Sequence, residues 1–572
     1  MKRESEGRPA PLFEGIMFKR SVIITILMAV LLIPPCHVVA VESGLTAIVA
    51  DHLRERILPG CAPSKIFCRQ EFLCGSSILP RFYTERNFRP GWIDDTGLSF
   101  QAESLINMIR EAHLEGLSPK DYHLAAILSL VNRLRMIENW RAHSEFFVDL
   151  DMLLTDAFFI YTTHLLTGRV DPETIHTKWI AYARDADLVQ FLTTALATHS
   201  IESTLKYFRP PHTGYYKLRT TLKRYRDIAS RGGWQPLPTG RKMRGGTVDK
   251  RINIVRHHLV LTGDLSPVYR TGNLFDGPLE DAVLRYQKRH GLVVDGVVGP
   301  ATLARLNVPV DEWILKIILN LERWRWLPHD LERSYINVNI ADFRLDVIER
   351  ERSALNMKVV VGSNYRRTPV FSGTMNYLVI NPYWNIPTKL VKKDIYPRVR
   401  KDRHYLNKKN IRVFENWNED APEVDPEHID WSRLERGTFY YKLRQDSSPM
   451  NPLGRIKFMF PNKFAVYLHD TPHKRLFNMS NRGFSAGCIR IENPVGLATY
   501  LLHDHSEWTH ERIEDIIESG ERHVVHFPRE LPVHVLYWTA WVDHDGMINF
   551  RDDIYERDET LSDALNETPP AQ

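Results

Sequence analysis

A multidomain α+β fold is predicted for this 572-residue chain. Three observations carry the prediction. The length exceeds the ~250–300 residues at which single cores stop growing. Apolar residues recur at helical spacing from Ser99 to about Ser230 and change to strand-like alternation from Tyr335. Between these stretches lies a small module, 250–310, punctuated by glycines in tight turn clusters. The expected parts are a helical scaffold unit over 81–245, that module, and a β-rich domain over 333–528 with a helix-like insertion at 388–446. A strand and tail over 529–572 follow. Hydrophobic content of 43%, charged content of 25% and a net charge of +5 are ordinary for a globular protein. They exclude a nucleic-acid partner as far as composition can, and no DNA- or RNA-binding signature is present.

In chain order, Lys19-Arg20 precede an apolar run from Val22 to Ile33, interrupted only by Thr25 and stopped by Pro34-Pro35. Val38-Val39-Ala40 resembles a small-residue cleavage site, so 1–40 reads as a signal peptide, with an uncleaved membrane anchor as the alternative. The run is short for a span of ~20 residues, and Met17 would make the more typical start. Cys36 follows Pro35, a poor fit to a lipidated cysteine. Export implies an oxidising compartment. Residues 41–80 carry Gly, Pro and Cys61, Cys68 and Cys74 without clear periodicity, and read as a linker in which one cysteine pair could be oxidised. No Cys/His spacing suits zinc.

The scaffold unit has helical patterns at Ser99–Ala112 (stopped by Gly116 and Pro119), Ala125–Trp140, Ser144–Leu166 (closed by Gly168), Ala183–Thr198 and Tyr215–Ser230. In the module, Asp276-Gly277 leads into a helix over Pro278–His290, and Pro300 opens a second over Ala301–Leu306. Trp313–Trp326 reads as an aromatic-rich packing helix. Strands are expected at Tyr335–Ile340, Phe343–Glu349, Lys358–Val361 and Tyr377–Ile380. The insertion is basic at its start and acidic later (Glu415–Asp430), and is placed to act as a lid. Val533–Val542 is expected as a last strand, followed by an acidic tail disordered at its end.

The chemistry concentrates in Tyr467–Pro494. Phe464–His469 alternates like a strand, and Gly487–Ile491 like another, so neighbouring strands could bring His469 to Cys488, 19 positions on. A thiol needs a base or a lowered pKa to become a strong nucleophile. Gly487 removes a side chain where a carbonyl would approach, and the amides of Gly487 and Cys488 are candidate oxyanion donors. Arg490 falls on the face of Cys488 and could clamp a carboxylate. Tyr467 shares the face of His469; Ser485, Trp384 and Asn385 are further candidate substrate contacts. Asp470 should face away from the imidazole by strand alternation, which favours a backbone carbonyl near Asp470 as its orienter, with the Asp470 carboxylate as the alternative.

His469-Asp470-Thr471 with Ser485-Ala486-Gly487-Cys488-Ile489-Arg490 resembles the active-site signature of the L,D-transpeptidases with a YkuD-type catalytic domain. Many members carry a histidine where this chain has Ala486. The run Ala282–His290, Gly291, Asp295-Gly296 and Gly299–Leu303 resembles a three-helix peptidoglycan-binding domain. Glu115–Tyr122 resembles the scaffold of the large multi-domain branch, in which a helical capping subdomain occupies the place of the insertion. The resemblance implies a periplasmic enzyme acting on peptidoglycan stem peptides and glycan. Cys488 would be acylated by a tetrapeptide stem, forming 3-3 cross-links, and by carbapenem-type β-lactams. No metal or organic cofactor is called for. The inner membrane, through the N-terminus, and other cell-wall synthesis proteins are candidate further partners. Two alternatives remain: a peptidoglycan peptidase passing the acyl group to water, and a non-catalytic wall-binding scaffold.

Overall fold

The computed structural model describes residues 44–57, 66–68, 71–75, 77–176, 179–180 and 184–567. The expected signal or anchor run lies outside them. Among the described residues no helix is long and apolar enough to cross a membrane.

The scaffold is helical and built around Ser144–Thr167, whose apolar positions are buried nearly all round the helix. A correction applies to the expected linker. Leu45–Ile57 is a helix, because Leu45, Val49, Leu53 and Ile57 repeat every fourth residue and bury one stripe in the scaffold core. A short hairpin pairs Ile66–Cys68 with Glu71–Leu73. Three aspartates of the central helix tie these pieces down. Asp149 pairs with Arg56, Asp151 accepts the Trp92 amide and the Tyr83 hydroxyl at 2.8 Å each, and Asp156 accepts the Gly75 amide at 2.6 Å.

The small module has helices Ile252–Thr262, Gly277–Arg289 and Pro300–Leu306 around its own core. Asp276 caps the second helix by accepting the Leu279 amide, and Gln287 holds the Asp295-Gly296 turn by accepting both amides. The helix Val310–Arg325 then joins the parts. It packs on Thr213–Ser230, and its Arg325 reaches the buried Glu115 carbonyl. The Glu115 carboxylate takes Arg209 at 2.9 Å, Arg219 at 2.6 Å and the Tyr215 hydroxyl at 2.6 Å.

The β-rich domain contains strands β1 (Ser334–Asn339), β2 (Arg344–Glu349), β3 (Arg352–Gly362) and β4 (Phe371–Ile380). The insertion carries β6 (Ile411–Phe414), β7 (Glu423–Val424) and β8 (Lys442–Gln445), and its sheet begins just before the expected boundary, at β5 (Trp384–Ile386). The domain resumes with β9 (Ile456–Met459), β10 (Leu468–His469), β11 (Gly483–Ser485), β12 (Ile489–Ile491) and β13 (His523–Leu536). Its sheet runs β11-β3-β12-β10-β9-β4-β13-β1-β2 and closes by pairing β2 with β3. Closure works because β3 is long. Its first seven residues pair with β2 and its last four with β12 and β11.

Three further expectations are corrected. The insertion is not only helical: β7-β6-β8-β5 form an antiparallel sheet over a core including Val391, Ile395, Leu406, Val413 and Leu443. Of the strand expected over 464–469, only Leu468–His469 pairs, because the Asn462 side chain accepts the amides of Phe464 and Val466 and curls the chain before it. The expected strand 533–542 breaks at Leu536. Ala540–Val542 then pairs with Ile548–Phe550 as a hairpin, and the acidic residues that follow form the helix Arg557–Asn566. This closing segment is packed through the helix Arg557–Asn566, and the end of the tail expected to be disordered lies outside the described residues. Phe550 stacks on His290 of the small module, Arg551 donates to the Arg289 carbonyl at 2.9 Å, and Asp558 pairs with Arg323 at 2.7 Å.

Candidate active site

Register brings the predicted groups together. β9, β10 and β12 are consecutive in the sheet, with Lys457 opposite His469 and His469 opposite Arg490. Directly opposed residues share a face, so Lys457, His469 and Arg490 form one row. Tyr467 and Cys488 stand two positions back along β10 and β12, hence on the same face. The alternate residues Leu468, Ile489 and Ile491 are fully buried in the domain core on the other face. His469 is buried, while Cys488, Tyr467, Lys457 and Arg490 are half-buried and reach the surface.

The imidazole is fixed through Nδ1, which donates to the Asp470 carbonyl at 2.6 Å, the orienter expected from alternation. A carbonyl only accepts, so Nδ1 carries the hydrogen and Nε2 keeps its lone pair. The Asp470 carboxylate turns away and accepts the Arg455 amide at 2.8 Å and Lys474 at 2.6 Å. Burial pushes the His469 pKa down to about 3, and Arg490 and Lys457 push the same way against the Asp470 carbonyl. Burial likewise raises the Cys488 thiol, opposed by the Tyr467 amide and hydroxyl and by Lys457 and Arg490. The resting pair is therefore a neutral thiol and a neutral imidazole. Sγ has the Ala465 carbonyl at 3.9 Å.

The turn before Cys488 is held from behind. Ser485 donates its hydroxyl to the Cys488 carbonyl and accepts the Gly487 amide at 3.0 Å. The Gly487 amide is thus engaged, which corrects its expected role as an oxyanion donor. Among the described residues the Cys488 amide has no hydrogen-bond partner. Gly487 contributes its conformation instead: φ is +122°, a region that disfavours side chains. Its carbonyl accepts the Thr368 hydroxyl at 2.9 Å. The Thr368 amide donates to the Tyr555 hydroxyl at 3.2 Å, which donates to the Gly362 carbonyl at 2.6 Å. Arg366, in the same loop, holds Asp394 of the insertion through both nitrogens at 2.8 and 2.9 Å.

Of the candidates read from sequence, Cys488, His469, Gly487, Ser485, Tyr467 and Arg490 meet. Trp384 and Asn385 are placed by a different sheet, that of the insertion, opposite Gln445 and Arg444. Sequence reasoning missed Lys457, whose ammonium lies 3.9 Å from the centre of the Tyr467 ring, and the supports Thr368 and Tyr555. Lys457 alternates with buried Ile456 and Phe458, the one local signal that could have found it. Among the described residues no group of three or more His, Cys, Asp or Glu is arranged to hold a metal ion.

Family models match three stretches. The "Scaffold domain" covers 77–222, the "Putative peptidoglycan binding domain" covers 266–306, and the "L,D-transpeptidase catalytic domain" (YkuD) covers 333–516. A Haemophilus influenzae protein named "Putative L,D-transpeptidase" is 34% identical over 247 residues, 43% of this chain and 49% of that protein. The chain thus spans about half the length of this curated relative. Among solved structures, an L,D-transpeptidase from Mycobacterium smegmatis is 13% identical, covering 36% of this chain and 58% of that one, with a TM-score of 0.18. One from Xylanimonas cellulosilytica is 12% identical over 52% of this chain and 99% of that one, with a TM-score of 0.17.

Proposed function

We propose that this chain is a multi-domain L,D-transpeptidase, in keeping with its matches to scaffold, peptidoglycan-binding and YkuD catalytic family models, and that it forms 3-3 cross-links in peptidoglycan by acyl transfer through Cys488. The observation that carries the reading is the shared face of Cys488 and a His469 whose Nδ1–H is locked on the Asp470 carbonyl. Sγ attacks the carbonyl of a peptide bond in a tetrapeptide stem, and its proton passes to Nε2. The Cys488 amide is the donor open to the developing oxyanion. The C–N bond breaks, Nε2 returns the proton to the leaving amine of the terminal D-amino acid, and a thioester remains. An acceptor amine then gives its proton to Nε2, forms the new C–N bond and releases the thiol. Catalytic hydrogen bonds often tighten only once substrate is present, consistent with the resting Sγ facing Ala465. The small module would hold the glycan or stem, the insertion would cover the site, and the enzyme would work in the periplasm after export.

Intact protein incubated with a carbapenem should gain the mass of one adduct, and Cys488→Ala none. Sacculi digested with the enzyme and amine acceptors should yield cross-linked dimers by mass spectrometry. Shortened monomers alone would instead support hydrolysis, and no adduct with no product would support a non-catalytic scaffold.

A further inference from the structure

Behind the Cys488 turn lies a guanidinium that the proposed reaction does not use. Arg557 opens the helix Arg557–Asn566 and is buried. Its acidic neighbours are taken: Glu556 pairs with Arg367, and Asp558 with Arg323 and Lys316. Three rings surround it instead, with Trp179, Tyr537 and Tyr555 centred 5.2, 5.0 and 5.4 Å from its central carbon. Burial draws its pKa down to about 10, so the group stays charged at neutral pH. A buried charge without an acid is costly, and ring faces offset only part of that cost. Methionine would fill the same cage without it. What methionine could not do is donate a charged hydrogen bond, and Nη2 of Arg557 is directed at the Thr368 carbonyl, 3.5 Å away.

Thr368 is where this charge meets the site. Its hydroxyl donates to the Gly487 carbonyl and accepts the Gly362 amide, both at 2.9 Å. The peptide that ends in the Gly487 carbonyl is planar, and its other face is the Cys488 amide. Fixing the carbonyl therefore fixes where that amide points. The scaffold domain grips both sides of the contact. Its Trp179 walls the cage, and its Ile180 amide donates to the Val370 carbonyl at 3.0 Å, two residues past Thr368. Its Arg169 donates to the carbonyls of Leu565 and Glu567, at the far end of the helix that Arg557 opens. We infer that Arg557 is a positioning residue through which the scaffold domain aims the Cys488 amide. The consequence for catalysis rests on the acyl-transfer reading, in which that amide receives the oxyanion; the alignment itself does not.

The test uses the full-length protein and two reagents that modify Cys488, with rates read by mass spectrometry. A carbapenem acylates sulfur through a tetrahedral oxyanion and needs the amide in place. Iodoacetamide loses iodide as the S–C bond forms and makes no oxyanion. In Arg557→Met acylation should slow about 5–30-fold, in the range of a lost charge-assisted hydrogen bond, while alkylation stays within about 2-fold of native. Arg557→Lys, which keeps a charged donor, should recover most of the loss. Trp179→Leu should slow acylation selectively from the scaffold side. Its double variant with Arg557→Met should lose less than the product of the two, since both act through one guanidinium. Thermal melts identify the folded variants, and if Arg557→Met does not fold, Trp179→Leu decides by the same selectivity. Equal slowing of both reagents, no slowing of either, or a Trp179→Leu variant that matches native overturns the inference. If the native protein takes no carbapenem, the acyl-transfer reading fails and amide hydrogen exchange over 483–491 decides the alignment. Faster exchange there in the Arg557 and Trp179 variants supports it, and unchanged exchange overturns it.

Discussion

His123 in the scaffold and His469 in the catalytic domain are buried almost equally, at 6% and 4% exposed, yet their surroundings favour opposite charge states. His123 lies 2.8 Å from both Glu71 and Asp156. Burial opposes its imidazolium, but the two carboxylates outweigh burial and raise its pKa. His469 has a carbonyl on one nitrogen and cations in the flanking strands, and burial with those cations brings it down to about 3. Burial by itself therefore does not decide what a histidine does; its neighbours do. In the scaffold a charged imidazole clamps the Glu71 hairpin to the central helix. On the catalytic face a neutral one keeps a lone pair available.

The strongest way to break this contrast is to swap activities. His469→Gln should slow acyl transfer about 10²–10⁴-fold, the usual worth of a positioned base, with its melting temperature little changed. His123→Gln should leave Cys488 acylation by a carbapenem within about 2-fold, since nothing places it near the reacting atoms. Equal losses in the two variants would erase the distinction.

Stability should divide the other way. Asp156→Ala removes one partner of a buried charged pair and strands the Gly75 amide, so urea unfolding should show a loss of about 3–5 kcal/mol. Lys457→Met, which breaks no ion pair, should stay within about 1 kcal/mol.

The pH dependence gives a finer test. A raised folded pKa means that the contribution of His123 is complete below its unfolded value, about 6.5, and is lost as pH rises through the folded value. For His469 the lowered value reverses the sign: its contribution is present above about 6.5 and is lost as pH falls from there toward the folded value. Each slope is limited to about 1.4 kcal/mol per pH unit, one proton's worth. Urea midpoints measured from pH 5 to 9 should lose alkaline slope in His123→Gln and acid slope in His469→Gln. The acid change is partial, because His164, His176 and His258 are also held down to about 3 by burial.

The smallest effects concern supports outside both histidines. Tyr555→Phe removes the hydroxyl between Thr368 and Gly362 and should slow Cys488 acylation about 2–10-fold, for a hydrogen-bond loss of about 1 kcal/mol. Asp394→Ala, breaking a half-exposed ion pair with Arg366, should cost no more than about 1 kcal/mol, read by the same unfolding curves.

How much of this was legible in the sequence follows from how local each signal is. The helices of the scaffold and small module announce themselves by spacing, and Gly277-Pro278 and Gly299-Pro300 mark two starts. Cys488, His469 and the carbonyl orienter of the imidazole could be read because their strands are short and their neighbours alternate. The helix Leu45–Ile57 was hidden by the cysteines and glycines that follow it, although its stripe is regular. The hairpin and helix after Leu536 were hidden by acidic composition, which reads as solvated until Asp558 is seen between Arg323 and Lys316. Lys457 was invisible for a different reason. Its position depends on which residue of β9 faces which residue of β10, and register between distant segments is not written in either one. The Gly487 amide was misjudged because a hydroxyl two residues away takes it.

The segment Tyr537–Asn566 touches the small module, the joining helix and the loop behind Cys488. A ribosome therefore delivers the Cys488 sulfur first and the wall that steadies its turn afterwards. Order of synthesis becomes order of assembly: the proposed nucleophile precedes its alignment, which waits until the stretch that also braces the neighbouring domains has been laid down.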